Sequence, residues 1–205
     1  MNTLAALLPA VPPVIGWAVH ARWLYGRLTT ARRDPLTGLW TRDAFAHRAR
    51  HLVRDPRATV VLADIDHFKQ INDTHGHAAG DALLATVAAR LAHGTTPGGV
   101  AGRLGGDEFA AVVIDRDGTV ADQLDTLTRV LARPVDTAPE VHTTVSLGWV
   151  RAADHPGEDL SALLRRADEA MYVAKRSGRS GPRRARLGRL LGSVAGRRPG
   201  RRGAA

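Results

Sequence analysis

Asp107 and Glu108 are adjacent carboxylates at the head of an apolar run, Phe109-Ala-Ala-Val-Val-Ile114, and Gly105-Gly106 comes directly before them. Asp64 and Asp66 stand at the end of a second such run, Thr59-Val-Val-Leu-Ala-Asp-Ile65. A turn accounts for the glycines. The acids need another explanation, because carboxylates brought together repel unless they share a proton or hold a cation. The chain has no cysteine, so thiolate metal sites, disulfides and Cys nucleophiles are excluded. Hard oxygen donors point to Mg2+, which takes one or two carboxylates and completes its shell with substrate phosphates.

Phosphates call for further cations. Of the 29 basic residues 27 are arginine, and the two lysines are Lys69 and Lys175. In a chain so rich in Arg, Ala and Gly, a retained lysine suggests a place for a compact point charge. Lys69, Lys175 and Arg179 would suit as clamps for a triphosphate. Asn72 and Asp81 offer donor and acceptor edges to a purine, and a carboxylate suits guanine, whose N1–H and N2–H2 both donate. These residues describe a metal-dependent enzyme acting on a nucleoside triphosphate. Two other readings are weaker. Gly102 to Gly106 makes a poor dinucleotide loop, because acids and then a strand follow it, and His75-Gly-His77 reads as a turn rather than a metal pair.

The elements that must position these groups follow from periodicity. Residues 59–65 read as a central strand. Residues 100–104 and 109–114 read as a hairpin with Gly105-Gly106 in its turn. If that hairpin neighbours the strand 59–65, the acids converge at one sheet edge. Helices are expected from Thr41, as cap, to about Val53, over 78–92, over 119–132 and over 160–176, the last ended by Gly178. A strand is expected over 141–150. The 205 residues suffice for one core with short extensions.

Both ends differ from the middle. Residues 1–21 carry no charged side chain, and the apolar run from Leu4 to Val19 has Trp17, Trp23 and Tyr25 near its far end with Arg22 and Arg27 beyond. That pattern is similar to a membrane segment with interfacial aromatics and positive charge on the cytoplasmic side. Its short length and Pro9, Pro12 and Pro13 oppose a span. The expectation is a helix over about 14–33 that packs on a partner, or an anchor over residues 4–25 on the inner face of the cell membrane. At the other end, residues 181–205 hold eight arginines and no acid, leaving 21 basic and 20 acidic residues in 1–180. Of the net charge of +9, all but +1 therefore lies in a tail expected to be disordered. Nucleic acid is disfavoured, since no aromatics interleave these arginines to stack bases; anionic lipid is the better alternative.

Seven stretches stand in order along the chain: Asp34-Pro-Leu-Thr-Gly-Leu39, Asp64-Ile-Asp-His-Phe-Lys-Gln-Ile-Asn-Asp73, Gly76-His77, Gly80-Asp81, Gly105-Gly-Asp-Glu-Phe109, Ser146-Leu-Gly148, and Ala170-Met-Tyr-Val-Ala-Lys175 with Gly178-Arg179. Together they resemble the motifs of the GGDEF domain family, the diguanylate cyclases. The resemblance spans residues 34 to about 180. Together with the two ends this gives three expected segments: 1–33 as N-terminal apolar helix or membrane anchor and linker, 34–180 as the GGDEF catalytic domain that the resemblance implies, and 181–205 as basic tail. The resemblance also implies an α/β (α+β) fold like nucleotidyl cyclase and polymerase palm domains, with a mixed, mainly antiparallel sheet flanked by helices.

By the same resemblance, two GTP condense to cyclic di-GMP with release of pyrophosphate in a homodimer. Asp64, the carbonyl of Ile65 and Asp107 would hold Mg2+, with Mn2+ as alternative. Asp107 and Glu108 would help deprotonate the attacking 3′-hydroxyl. Gly105, Gly106, Lys69, Lys175 and Arg179 would contact substrate, and Asn72 and Asp81 would recognise guanine. One departure concerns regulation. The family's inhibitory Arg-x-x-Asp site falls on Thr96-Pro97-Gly98-Gly99, which has neither residue. Product inhibition through it is expected to be absent or weak. The rival reading is a non-catalytic receptor for GTP or cyclic di-GMP.

Overall fold

Along residues 58–65 the side chains alternate between two apolar environments. Val61, Ala63 and Ile65 belong to one buried cluster; Ala58, Val60 and Leu62 belong to another. A strand buried on both faces has to lie inside a layered fold. The computed structural model describes residues 17, 32–95, 97–135, 141, 143–176 and 182–185. Its strands are β1 (Trp40–Thr41), β2 (Ala58–Ile65), β3 (Val100–Gly105), β4 (Glu108–Ile114), β5 (Val145–Arg151) and β6 (Arg183–Arg184). Among the described residues they form one sheet in the order β1-β3-β4-β2-β5-β6. The four central strands pair antiparallel, while β1 and β6 join the edges parallel to β3 and β5. This mixed sheet flanked by helices is the palm-like architecture expected.

The helices are α1 (Arg42–Leu52), α2 (Phe68–His75), α3 (His77–Gly94), α4 (Val120–Leu131) and α5 (Leu160–Arg176). Leu83, Val87 and Leu91 of α3 and Leu124 and Leu131 of α4 cover the face with Val61, Phe109 and Leu147. Phe45 and Ala49 of α1 and Leu163, Ala167 and Met171 of α5 cover the face with Val60, Leu62 and Val112. A β-carbon on Gly148 would stand 2.0 Å from the Ala167 carbonyl oxygen and 2.4 Å from the Met171 nitrogen. Glycine there lets α5 lie directly on β5.

Several expectations need correction. Thr41 precedes α1 but makes no side-chain cap; its hydroxyl donates to the Arg32 carbonyl at 3.3 Å. Arg33 bridges to Trp40, so a helix over 14–33 does not reach its expected end; the rest of that segment, and the anchor over 4–25, lie outside the described residues. Strand β5 begins at Val145 rather than 141, because Thr143 and Thr144 are bonded to the Asp66 turn. The tail is not irregular throughout. Arg183 and Arg184 pair with Gly148 and Trp149, the Ala185 N–H donates to the Trp149 carbonyl, and the Arg184 guanidinium stacks over the Trp149 ring. The expected disorder beyond Ala185 lies outside the described residues. Helix α2 occupies a stretch to which the sequence reading assigned no element.

Candidate active site

The strand period places the first acid. Asp64 continues the series Ala58, Val60, Leu62, so it faces the α1 and α5 side of the sheet. Glu108 precedes Ala110 and Val112 in the same phase on β4, and Glu108 and Asp64 are direct cross-strand partners. The turn between them is docked on β2, the Ile65 N–H donating to the Asp107 carbonyl at 3.3 Å. Gly105 (φ 149°) and Gly106 (φ 51°) give that turn a backbone which side chains resist. Asp64, Asp107 and Glu108 therefore share one edge of the sheet, as the spacing suggested.

Arg42 of α1 reaches Glu108, its Nη2 lying 3.7 Å from Oε2, and the positive group beside Asp64 comes from α5. Lys175 Nζ lies 2.6 Å from Asp64 Oδ1. Even so, the Asp64 carboxyl is pushed above its ordinary range: burial raises it most, and Asp107 and Glu108 add to this against the opposing effect of Lys175. A carboxylate still short of positive charge suits a further hard cation. Among the described residues no three His, Cys, Asp or Glu side chains are grouped to hold a metal by themselves. A set of two carboxylates and a carbonyl leaves the rest of the shell to phosphate oxygens, which fits Mg2+.

Asp66 leaves the acidic group. Its carboxylate accepts the hydroxyls of Thr144 at 2.5 Å and Ser146 at 2.7 Å, and its N–H donates to the Thr144 carbonyl. It pins the end of β2 to the start of β5. His67 then takes a left-handed conformation (φ 58°) that turns the chain into α2.

That helix carries Lys69 and Asn72. Lys69 is not drawn to the acids; it forms a short, exposed pair with Asp73 one turn on. Exposed pairs at this spacing contribute only about 0.3–0.5 kcal/mol, so the lysine is available to a phosphate. Gly80 packs on Asn72: a β-carbon there would fall 1.9 Å from Asn72 Oδ1. That approach sets Asn72 against the start of α3, where Asp81 is exposed. Arg179 lies outside the described residues.

Two residues to which the sequence reading gave no role hold the turn in place. Arg103 donates to the Gly106 carbonyl through Nε (3.0 Å) and Nη2 (2.7 Å), and its Nη1 lies 3.1 Å from Asp34 Oδ1. Asp34 also accepts the backbone and hydroxyl of Thr37. The signal was present: an arginine two residues before the double glycine, and an aspartate opening a turn motif. Arg42 adds a bond from Nε to the Leu104 carbonyl at 2.8 Å. At the other end of β3, the Pro97-Gly98-Gly99 stretch offers neither guanidinium nor carboxylate, and its Pro97 carbonyl accepts Arg116 at 3.4 Å.

This fold and edge of acids agree with the comparisons. The family model described as diguanylate cyclase, GGDEF domain, matches residues 31–181, and the chain belongs to that family. It is 48% identical over 187 residues to an uncharacterised 19.3 kDa protein of Streptomyces ambofaciens, covering 90% of this chain and 98% of the other. It is 40% identical over 156 residues to the diguanylate cyclase DgcN of Escherichia coli, covering 72% of this chain but 38% of that protein. Among solved structures, the coiled coil and GGDEF domain of DgcB from Caulobacter crescentus, in complex with c-di-GMP, is 28% identical with a TM-score of 0.73; the match covers 90% of this chain and 100% of that one. Among the described residues no helix is long and apolar enough to cross a membrane.

Proposed function

We propose that this protein is an active diguanylate cyclase, condensing two GTP to cyclic di-GMP and two pyrophosphates. The observation that carries the reading is Asp64 facing Glu108 across two central strands with the Lys175 ammonium 2.6 Å away. Asp64, the Ile65 carbonyl and Asp107 would hold Mg2+ or Mn2+, which when bound lowers the charge on the triphosphate and favours the departing pyrophosphate. Lys69, Lys175 and Arg179 hold phosphate oxygens, and Asn72 and Asp81 take the guanine edge. Asp107, with Glu108, accepts the proton of the attacking 3′-hydroxyl. Each 3′-oxygen bonds to the α-phosphorus of the other nucleotide, and the bond to the pyrophosphate breaks.

One chain presents one such edge, so the reaction needs two domains facing each other. The catalytic unit is residues 34–180, with 1–33 and 181–205 as appendages; a homodimer supplies much of the rate by positioning. Because residues 97–99 carry no charged side chain and residue 96 is threonine, product does not inhibit through that stretch.

The test is to incubate the full chain with GTP and Mg2+ and look for cyclic di-GMP by mass spectrometry, with Asp107→Asn/Glu108→Gln as control. Product lost in the variant supports the cyclase. No product at high protein concentration, with GTP binding intact, would favour a receptor instead.

A further inference from the structure

Lys175 carries two assignments that compete for one positive charge. Its Nζ is 2.6 Å from Asp64 Oδ1, the carboxylate given above to the metal, and the same reading gives Lys175 to the triphosphate. This pair differs from the solvated one between Lys69 and Asp73, whose side chains are 87% and 62% exposed. Asp64 is 14% exposed and the lysine 37%. Removing Lys175 leaves the more buried partner, Asp64, with an uncompensated charge, a larger cost than breaking a pair in which both side chains are solvated.

The helix beneath Lys175 cannot follow the ammonium. Ala170, Met171 and Ala174 are buried, and α5 is pressed onto Gly148 without room for a methyl group. Only the four-carbon stem of Lys175 is free to swing, and the side chain is partly exposed, so it has solvent to swing into.

We propose, resting on the cyclase reading, that Lys175 is the resident counter-ion of Asp64, displaced by a divalent cation only when a triphosphate is there to receive the ammonium. A metal ion arriving alone must expel Lys175 from its partner and offer it nothing in return. A triphosphate arriving alone draws Lys175 away and leaves a half-buried carboxylate beside Asp107 and Glu108. Arriving together, each removes the cost the other incurs. Metal and nucleotide therefore bind cooperatively, and by linkage each raises the affinity of the other by the same factor. Asp64 keeps a counter-ion between turnovers without retaining free metal.

The test measures Mn2+ binding to the full chain by electron paramagnetic resonance, with and without a non-hydrolysable GTP analogue. Wild type is compared with Lys175→Met, Lys175→Gln and Lys175→Arg. Without nucleotide, the Met and Gln variants are expected to bind Mn2+ about tenfold more tightly than wild type, within the usual range of such couplings. The Arg variant, which keeps the charge, is expected not to tighten. Mn2+ alone should also raise the melting temperature of the Met and Gln variants more than that of wild type. Wild type that binds Mn2+ with the analogue, beside folded Met and Gln variants that bind nucleotide-free Mn2+ no tighter, would overturn the coupling alone. Wild type that binds no Mn2+ even with the analogue would overturn the cyclase reading and the coupling with it.

Discussion

Arg103 joins Asp34, at the entry to the domain, to Gly106, in the turn that carries the acids: Nη1 meets the carboxylate at 3.1 Å while Nη2 meets the carbonyl at 2.7 Å. The aspartate and the arginine are 20% and 15% exposed. Charge-assisted bonds of this kind contribute about 1.5–3 kcal/mol each. Their geometry needs a planar fork rather than a point charge.

Arg103→Lys is accordingly expected to lose the simultaneous contact. Denaturant unfolding should show a loss of about 1–3 kcal/mol, and cyclic di-GMP formation should fall because the Asp107 turn is no longer held. An unchanged unfolding midpoint would remove this role from Arg103.

The Asp34 carboxyl also makes a pH prediction. Burial raises its pKa, but the bonds from Thr37 and Arg103 outweigh this and hold it below the usual carboxylate range. The stability it adds is therefore complete above the unfolded value near 3.9 and is lost as pH falls through the lower folded value. Comparison with Asp34→Asn by thermal melting should give a constant gap from pH 5 to 7, closing only in stronger acid. A gap that closed near neutrality would contradict the assignment.

Gly80→Ala separates stability from recognition. The added methyl meets the end of the flexible Asn72 side chain, Oδ1 at 1.9 Å and Cγ at 2.9 Å, with the Phe68 ring at 3.3 Å. Alanine in place of glycine inside a helix favours folding by up to about 1 kcal/mol. The melting temperature should hold or rise while GTP binding weakens, as measured by calorimetry, because Asn72 is pushed off its position. Unchanged GTP affinity would argue against Asn72 as a guanine contact.

Gly148→Ala acts in the opposite way, because its methyl meets backbone at Ala167 and Met171. Helix α5 must lift from β5, and overpacking of this kind costs about 1–3 kcal/mol. Both the melting temperature and cyclase activity should drop, since Lys175 moves with the helix. Activity retained at wild-type level would show that α5 need not sit so close.

Added cyclic di-GMP is expected to leave the rate of wild type unchanged in a steady-state pyrophosphate-release assay. Thr96→Arg/Gly99→Asp restores the missing pair and should introduce inhibition. Strong inhibition of the wild type would place a product site elsewhere.

The strands and the long helices were legible because each buries one or both faces, so the apolar period repeats over enough residues to be read. Strands β2 and β4 and helix α5 fall where the sequence puts them, within about two residues. The short elements were not legible. Strands β1 and β6 are two residues each, and α2 is two turns, too short to be stable without tertiary partners. They exist because β3, β5 and the Asp66 turn are already there to receive them.

By itself the sequence determined the chemistry on offer: oxygen donors without thiols, two lysines among many arginines, and two apolar runs with Asp64 at the end of one and Asp107 and Glu108 at the head of the other. Only the tertiary structure decided how those groups are divided. Asp66 lies two residues from Asp64, yet the hydroxyls of Thr144 and Ser146 take it as a strut, while Asp64 meets Lys175 from the far end of the chain. Local spacing sets the direction of a side chain, but its partner depends on which distant element packs there. Here a glycine on β5 lets α5 come close enough to be that element.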